Sequence, residues 1–151
     1  MAYISAQDVK AIRDELKATF PKFKFGVRKG YSGSSVDVTI KQGPVDFADV
    51  FKAERSAYAQ INEYHLHFYG KHEAFFEQVI NIIKTAPANA GGRAWFDKSD
   101  AQTDYFHIAY YIHLNVGEWN ARTLAQKKRS LHNVISLLCK LSQESYFFVV
   151  R

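Results

Sequence analysis

The spacing of hydrophobic positions changes several times along the chain, and each change marks an element. Val9, Ile12, Leu16 and Phe20 recur at three- and four-residue intervals behind Ser5 and Asp8, an N-cap followed by an acid. This predicts an amphipathic helix that ends at Pro21. From Lys22 the period becomes two, with Phe23, Phe25 and Val27 alternating against Lys22, Lys24 and Arg28. Val36, Val38 and Ile40 restore the alternation after the turn Lys29-Gly30-Tyr31-Ser32-Gly33-Ser34-Ser35, so residues 22 to 41 read as a β-hairpin with a basic outer side, closed at Gly43-Pro44.

A helix is predicted over residues 45 to 60, with Phe47, Val50, Phe51 and Ala57 or Tyr58 turned inward. The stretch from Ile61 to Tyr69 fits two patterns: a strand burying Tyr64, Leu66 and Phe68, or a continuation of that helix to Gly70. Helical spacing returns from His72, with Phe75, Phe76, Val79, Ile82, Ile83 and Ala86 as the buried stripe, and Pro87 to Gly92 reads as a breaker loop. A central strand follows, placing Phe106, Ile108, Tyr110, Ile112, Leu114 and Val116 on one face and Tyr105, His107, Ala109, Tyr111, His113 and Asn115 on the other. Gly117 ends it. Asn120 then caps a last helix buried through Leu124, Leu131, Val134, Ile135, Leu138 and Leu141, and Tyr146 to Arg151 reads as a terminal strand. The order predicts one α+β domain over residues 1–151, a mostly antiparallel sheet with helices packed on one face.

Composition agrees with a globular chain: 151 residues, 47% hydrophobic, 15% aromatic and 23% charged. Such a length buries roughly two-thirds of the unfolded surface, so neither disulfides nor a structural metal is needed. With a single cysteine, Cys139, and no secretory leader in Met1-Ala2-Tyr3-Ile4-Ser5, the expectation is a cytoplasmic protein. Apolar runs of a few residues, far short of the roughly 20 a membrane span requires, exclude a membrane helix.

The net charge of +5 hides its layout, which is +4 over residues 1–41, −4 over 42–118 and +5 over 119–151. Such separation draws a polyanion at long range, or lets the ends of the fold neutralise its own middle. Arg13 and Lys17 on the first helix, Lys22, Lys24 and Arg28 on the hairpin, and Lys29 and Tyr31 at its tip form a candidate nucleic-acid surface with an aromatic for stacking. Against this stands a merely solvated face. Lys127-Lys128-Arg129 either extends the surface or lies opposite it.

Catalytic signatures are absent. Asp97, Asp100 and Asp104 with His107 resemble hard-metal ligands but lack calcium-loop spacing, and turn or capping roles for Asp100 and Asp104 explain them better. With Tyr111, these residues are the candidate protein-interaction edge. His65 and His67 would lie about 7 Å apart in a strand but have no third ligand in zinc spacing. His107 and His113 would be about 20 Å apart, too far to cooperate. Cys139 reads as a buried hydrophobe, and the Gly/Ser-rich tip lacks the lysine and following helix of a phosphate loop. No catalytic residue, cofactor or metal is assigned.

Several segments resemble the large polyvalent protein-associated domain family numbered twenty-nine, found on phages, plasmids and other mobile elements. The likeness runs through Val9 to Leu16, Phe20-Pro21-Lys22-Phe23-Lys24-Phe25-Gly26-Val27-Arg28, Tyr31 to Val38, Gly43-Pro44 and Ile61-Asn62-Glu63-Tyr64. It is strongest in Ser99-Asp100-Ala101-Gln102-Thr103-Asp104-Tyr105-Phe106, and includes Tyr110, Tyr111 and Asn115 to Trp119. That covers most of residues 4–120. The hairpin tip is one glycine shorter than the family's Ser-Gly-Gly-Ser run, and residues 121–151 stand as an added helix and strand. The resemblance carries no catalytic residues. It implies an accessory or counter-defence protein of a mobile element.

Three functions are therefore expected, in order. The first is a non-enzymatic accessory protein that binds nucleic acid through the basic helix and hairpin. The second is an anti-defence inhibitor that meets a host defence protein through the Asp97 to Asp104 loop or the acidic middle surface, against a basic partner. The third is a metal-dependent enzyme using Asp100, Asp104 and His107.

Overall fold

The computed structural model describes residues 1–51, 58–100 and 102–117. The expected helix after Asn120, the terminal strand, Cys139 and Lys127-Lys128-Arg129 lie outside the described residues. In chain order the elements are α1 (Ala6–Thr19), β1 (Lys24–Lys29), β2 (Ser35–Gln42), β3 (Tyr58–Ile61), α2 (Glu73–Asn89) and β4 (Tyr111–Gly117), with 3₁₀ turns at Ala48–Val50 and Leu66–His72. They form the α+β class, with a four-stranded sheet ordered β1-β2-β4-β3. The two edge pairings are antiparallel, and the central pair β2 and β4 is parallel.

Local chemistry sets α1 as its sequence suggested. The Ser5 hydroxyl accepts from the Asp8 amide at 3.1 Å while the Asp8 carboxylate accepts from the Ser5 amide at 3.1 Å, a reciprocal capping box. Val9, Ile12 and Leu16 are buried, and the Phe20 amide closes on the Leu16 carbonyl just before Pro21. β1 turns Val27 inward and Lys24 and Arg28 outward. β2 buries Val36, Val38 and Ile40, and β4 buries Ile112, Leu114 and Val116. These residues meet the apolar sides of α1 and α2 in one core. Both helices thus cover one face of the sheet. Among the described residues, no element covers the other.

An aromatic layer joins sheet to helices. Phe23 stacks on Phe75 at 4.8 Å, and Phe20 meets Phe75 edge-on at 5.2 Å. Gly43 permits this approach, because a side chain there would collide with the Phe23 ring.

Four expectations fail. The breaker loop expected from Pro87 to Gly92 starts later, because α2 carries Pro87 and runs to Asn89: the Ile83 carbonyl, which a proline cannot serve, accepts from the Tyr110 hydroxyl instead. Where a helix is predicted over 45–60, residues 45–51 are instead irregular with one 3₁₀ turn, and Tyr58 to Ile61 form β3, paired with Gly117 to Leu114. The free edge of β4 requires backbone partners, and that tertiary demand outweighs helical spacing. The stretch after Ile61 is neither strand nor continued α-helix: it is a 3₁₀ turn kinked at Gly70 (φ 48°), and it leaves Tyr64 and Phe68 exposed. The strand expected from Tyr105 begins at Tyr111. Ile108, Ala109 and Tyr110 are buried consecutively, so alternation stops there. Ala109 bonds instead to Phe96 and Tyr3, its amide donating to the former and its carbonyl accepting from the latter.

The irregular segment is tied to α2 by Asp49, whose carboxylate is bonded to buried His72 at 2.8 Å and to the Lys71 ammonium at 3.0 Å. Burial pushes the Asp49 carboxyl up, but the His72 and Lys71 hydrogen bonds win and hold it at about 2, below the ordinary 3.8. A carboxylate depressed in the folded state stabilises above its unfolded pKa, and that stabilisation is lost as pH falls through the folded value. Urea midpoints should therefore drop between about pH 4 and pH 2, and Asp49→Asn should lose that component of the acid dependence. An identical acid profile in the variant would refute the link.

Candidate functional site

The seven residues of the basic surface divide into two groups. Arg13 and Lys29 serve the fold. The Arg13 guanidinium donates to the Val27 carbonyl at 2.8 Å, which ties α1 to edge strand β1. The Lys29 ammonium sits 4.4 Å from the centre of the Tyr3 ring. Lys17, Lys22, Lys24 and Arg28 are exposed, and Tyr31 projects fully from the hairpin tip. On α1, Lys10 pairs with Asp14 at 2.7 Å, so the helix side of the surface is partly neutralised locally. The sheet side is richer than the sequence reading placed it.

Across the open face of the sheet, Arg28 stands opposite Asp37, and Asp37 opposite His113. The His113 Nδ1 and the Asp37 carboxylate are 2.8 Å apart. One row further, Gly26, Thr39, Asn115 and Gln60 are successive partners across the four strands. Arg28, Lys41 and Asp37 border a shallow hollow there, lined also by Gly26, Thr39, Tyr58, Asn115 and Gly117. The Tyr58 hydroxyl donates to the Asn115 side-chain oxygen at 2.9 Å and fixes that amide in the wall. Lys41 lies across Gly26, where a side chain would strike its aliphatic stem. The sequence reading missed Lys41, Tyr58 and Asn115. The signal for Lys41 was present, since the alternation of Val36, Val38 and Ile40 turns residue 41 outward.

The acidic loop forms a small arm, bridged backbone to backbone at Asp97 with Ile108 and at Asp100 with Tyr105. Its aspartates hold the arm's own turns, as the capping reading expected for Asp100. Asp97 accepts from the Ser99 amide at 3.0 Å and from the Tyr64 hydroxyl at 3.3 Å; the Ser99 hydrogen bonds hold its carboxyl below the ordinary value. Asp100 accepts from the Gln102 amide at 2.9 Å and the Thr103 hydroxyl at 3.0 Å. Asp104 contributes backbone shape, with φ of 52° in the left-handed region that aspartate tolerates. His107 packs its ring against Phe96 and Tyr105, at 5.0 and 5.8 Å. Tyr111 does not join this edge. It belongs to the outward row of β4 with His113, because the buried run 108 to 110 separates the arm from the strand.

Tyr64 links two segments singled out in the sequence, 61–64 and the acidic arm. Burial first, then the Glu63 and Asp97 charges, push its hydroxyl up to about 12. Beside it, burial raises the Glu63 carboxyl against the pull of Lys84, and one Glu63 oxygen is enclosed without a hydrogen-bond partner. Nothing in the sequence pattern distinguished Glu63. His65 and His67 lie on the 3₁₀ segment and its N-terminal flank, with ring centres 5.7 Å apart and Phe68 packed on both. No group of three or more metal-ligating side chains occurs among the described residues. Nor is any helix among them long and apolar enough to cross a membrane.

The family model for large polyvalent protein associated domain 29 matches residues 4–90, which spans α1, the hairpin and α2. The likeness read in residues 99 to 120 lies beyond that match. No curated protein and no solved structure matches the chain.

Proposed function

This chain belongs to the large polyvalent protein associated domain 29 family, and from that membership we propose that it is a cytoplasmic accessory protein of a phage, plasmid or other mobile element. It works by binding and not by catalysis, and its ligand is nucleic acid. The observation that supports this reading is the polar sheet face, left open among the described residues, whose β1 edge presents Lys24 and Arg28 exposed. Lys22 and the fully exposed Tyr31 continue it along the hairpin. Phosphate recognition needs cations presented on a surface and not consumed by the fold. Arg13 and Lys29, fixed to Val27 and Tyr3, are therefore assigned to the scaffold.

Fluorescence anisotropy with mixed-sequence DNA and RNA across a salt series tests the proposal. Affinity should fall steeply with salt, and Lys24→Ala combined with Arg28→Ala should lower the logarithmic salt slope by about 1.4 to 1.8, the contribution of two phosphate contacts. Absence of binding at low salt would end this reading. It would leave standing a second one, counter-defence by contact with a host protein. That reading is supported by Tyr105 and Phe106, which are 55% and 68% exposed on the arm that also carries Asp100 and Asp104.

A further inference from the structure

We propose that this chain pairs with a second copy of itself through the end of the sheet where the hairpin tip and the acidic arm emerge side by side. The inference goes beyond the nucleic-acid reading and does not draw on Lys22, Lys24 or Arg28. β2 and β4 are parallel neighbours, and Ser35, which opens the one, stands opposite Tyr111, which opens the other. The tip, residues 30–34, leads into β2, and the arm, residues 97–108, leads into β4, so both leave the sheet at the same end. Between them lies the N-terminal segment. Ile4 donates its amide to the Gly33 carbonyl at 3.0 Å and Tyr3 to the Ala109 carbonyl at 2.8 Å, while the Ala109 amide donates to the Phe96 carbonyl at 2.9 Å. Backbone hydrogen bonds therefore hold tip and arm in place on either side of Tyr3.

Tyr3, Tyr31, Tyr105 and Phe106 are exposed at this end, and Tyr31 and Phe106 make no ring contact among the described residues. Such residues scattered singly are ordinary, but gathered at one end they mark an interaction surface. Charge selects its occupant. On the tip side Lys29 is exposed, and the Tyr3 ring positions its ammonium at 4.4 Å without neutralising it. On the arm side Asp104 is exposed, and its carboxylate has no hydrogen bond or ion pair among the described residues. Asp100 adds a second negative charge there, while Arg93 and Lys98 stay at the root of the arm over the Phe96 ring. A face that is positive on one flank, negative on the other and aromatic on both is complementary to itself. About a two-fold axis, Lys29 of one protomer meets the partner's Asp104 and the reverse, and Tyr31 meets the partner's Phe106. A ligand of a single sign would satisfy one flank and be repelled by the other.

Sedimentation velocity on the full chain, without nucleic acid, is the test. The average mass should rise from one copy towards two between about 1 μM and 1 mM, the affinity range of a small interface. Lys29→Glu and Asp104→Lys, each alone, should weaken self-association at least about tenfold, because like charges then face each other at both symmetry-related contacts. An equimolar mixture of the two variants should associate as the parent does, since every contact again pairs opposite charges, and variants that had merely lost their fold could not rescue each other. Asp104→Asn, which suits the left-handed backbone at that position, should weaken association less than Asp104→Lys. A parent chain that stays monomeric to about 1 mM, charge variants that associate like the parent, or a mixture no stronger than its components would each overturn the inference. None of these outcomes touches the nucleic-acid reading, which stands or falls on the anisotropy titration, and a monomeric parent would leave the arm to contact with a host protein.

Discussion

Phe47→Ala is expected to cost about 3 to 5 kcal/mol of folding stability, as large aromatic truncations in a packed core do. Phe47 is 1% exposed although it sits on an irregular segment. Its ring stacks on Phe76 at 5.6 Å and touches Phe75 at 5.7 Å and the buried His72 ring at 4.9 Å. Four aromatic rings from two segments therefore meet there, and among the described residues no backbone hydrogen bond joins 45–51 to α2. A loss of this size is a large share of the 5 to 15 kcal/mol typical of a domain. Chemical denaturation with an unchanged slope would read it directly, and Phe47→Leu, which refills part of the volume, should cost clearly less. A cost below about 1 kcal/mol for the alanine variant would mean that the segment is not anchored through this ring.

Phe47 also marks the boundary of what was legible. Its burial could be read from hydrophobicity, but the element carrying it could not, because helical spacing over residues 45–60 competes with the need of β4 for a strand partner. Where local signals agree, as in the Ser5 and Asp8 box, the hairpin and the stripe from Phe76 to Ala86, sequence and structure coincide. Where a segment is positioned by distant backbone, as at Ala109 between Phe96 and Tyr3, no local period records it. The site divides in the same way. Outward alternation exposed Lys24, Arg28 and Tyr111, whereas the occupation of Arg13 by Val27 depends on how α1 docks on β1. An unbroken strand from Tyr105 would place Tyr111 beside the acidic arm. Three consecutive buried residues break that strand and return Tyr111 to the sheet.

Tyr110→Phe should remove about 1 to 3 kcal/mol although it deletes one oxygen and leaves the ring in place, because it strips a buried carbonyl of its partner. Pro87 lies in the last turn of α2, and a proline there has no amide to give to the carbonyl of Ile83, four residues earlier. The Tyr110 hydroxyl donates to that carbonyl at 2.7 Å in a buried setting, doing for the helix what the missing amide cannot. The same burial, with the Asp8 charge nearby, pushes the Tyr110 hydroxyl well above the ordinary range and keeps it a donor. Trp95 secures the arrangement from the other side, its indole donating to the Tyr110 carbonyl at 3.1 Å. A double-mutant cycle isolates the mechanism. Pro87→Ala restores an amide at position 87, so in that background Tyr110→Phe should cost at least about 1 kcal/mol less than in the parent. Equal costs in both backgrounds would show that the proline does not create the need the tyrosine meets. If the cycle closes as expected, the end of α2 and the entry to β4 are coupled through one hydrogen bond. Tyr111, the next residue, then takes its place on the open face from a backbone fixed on the core side by its neighbour.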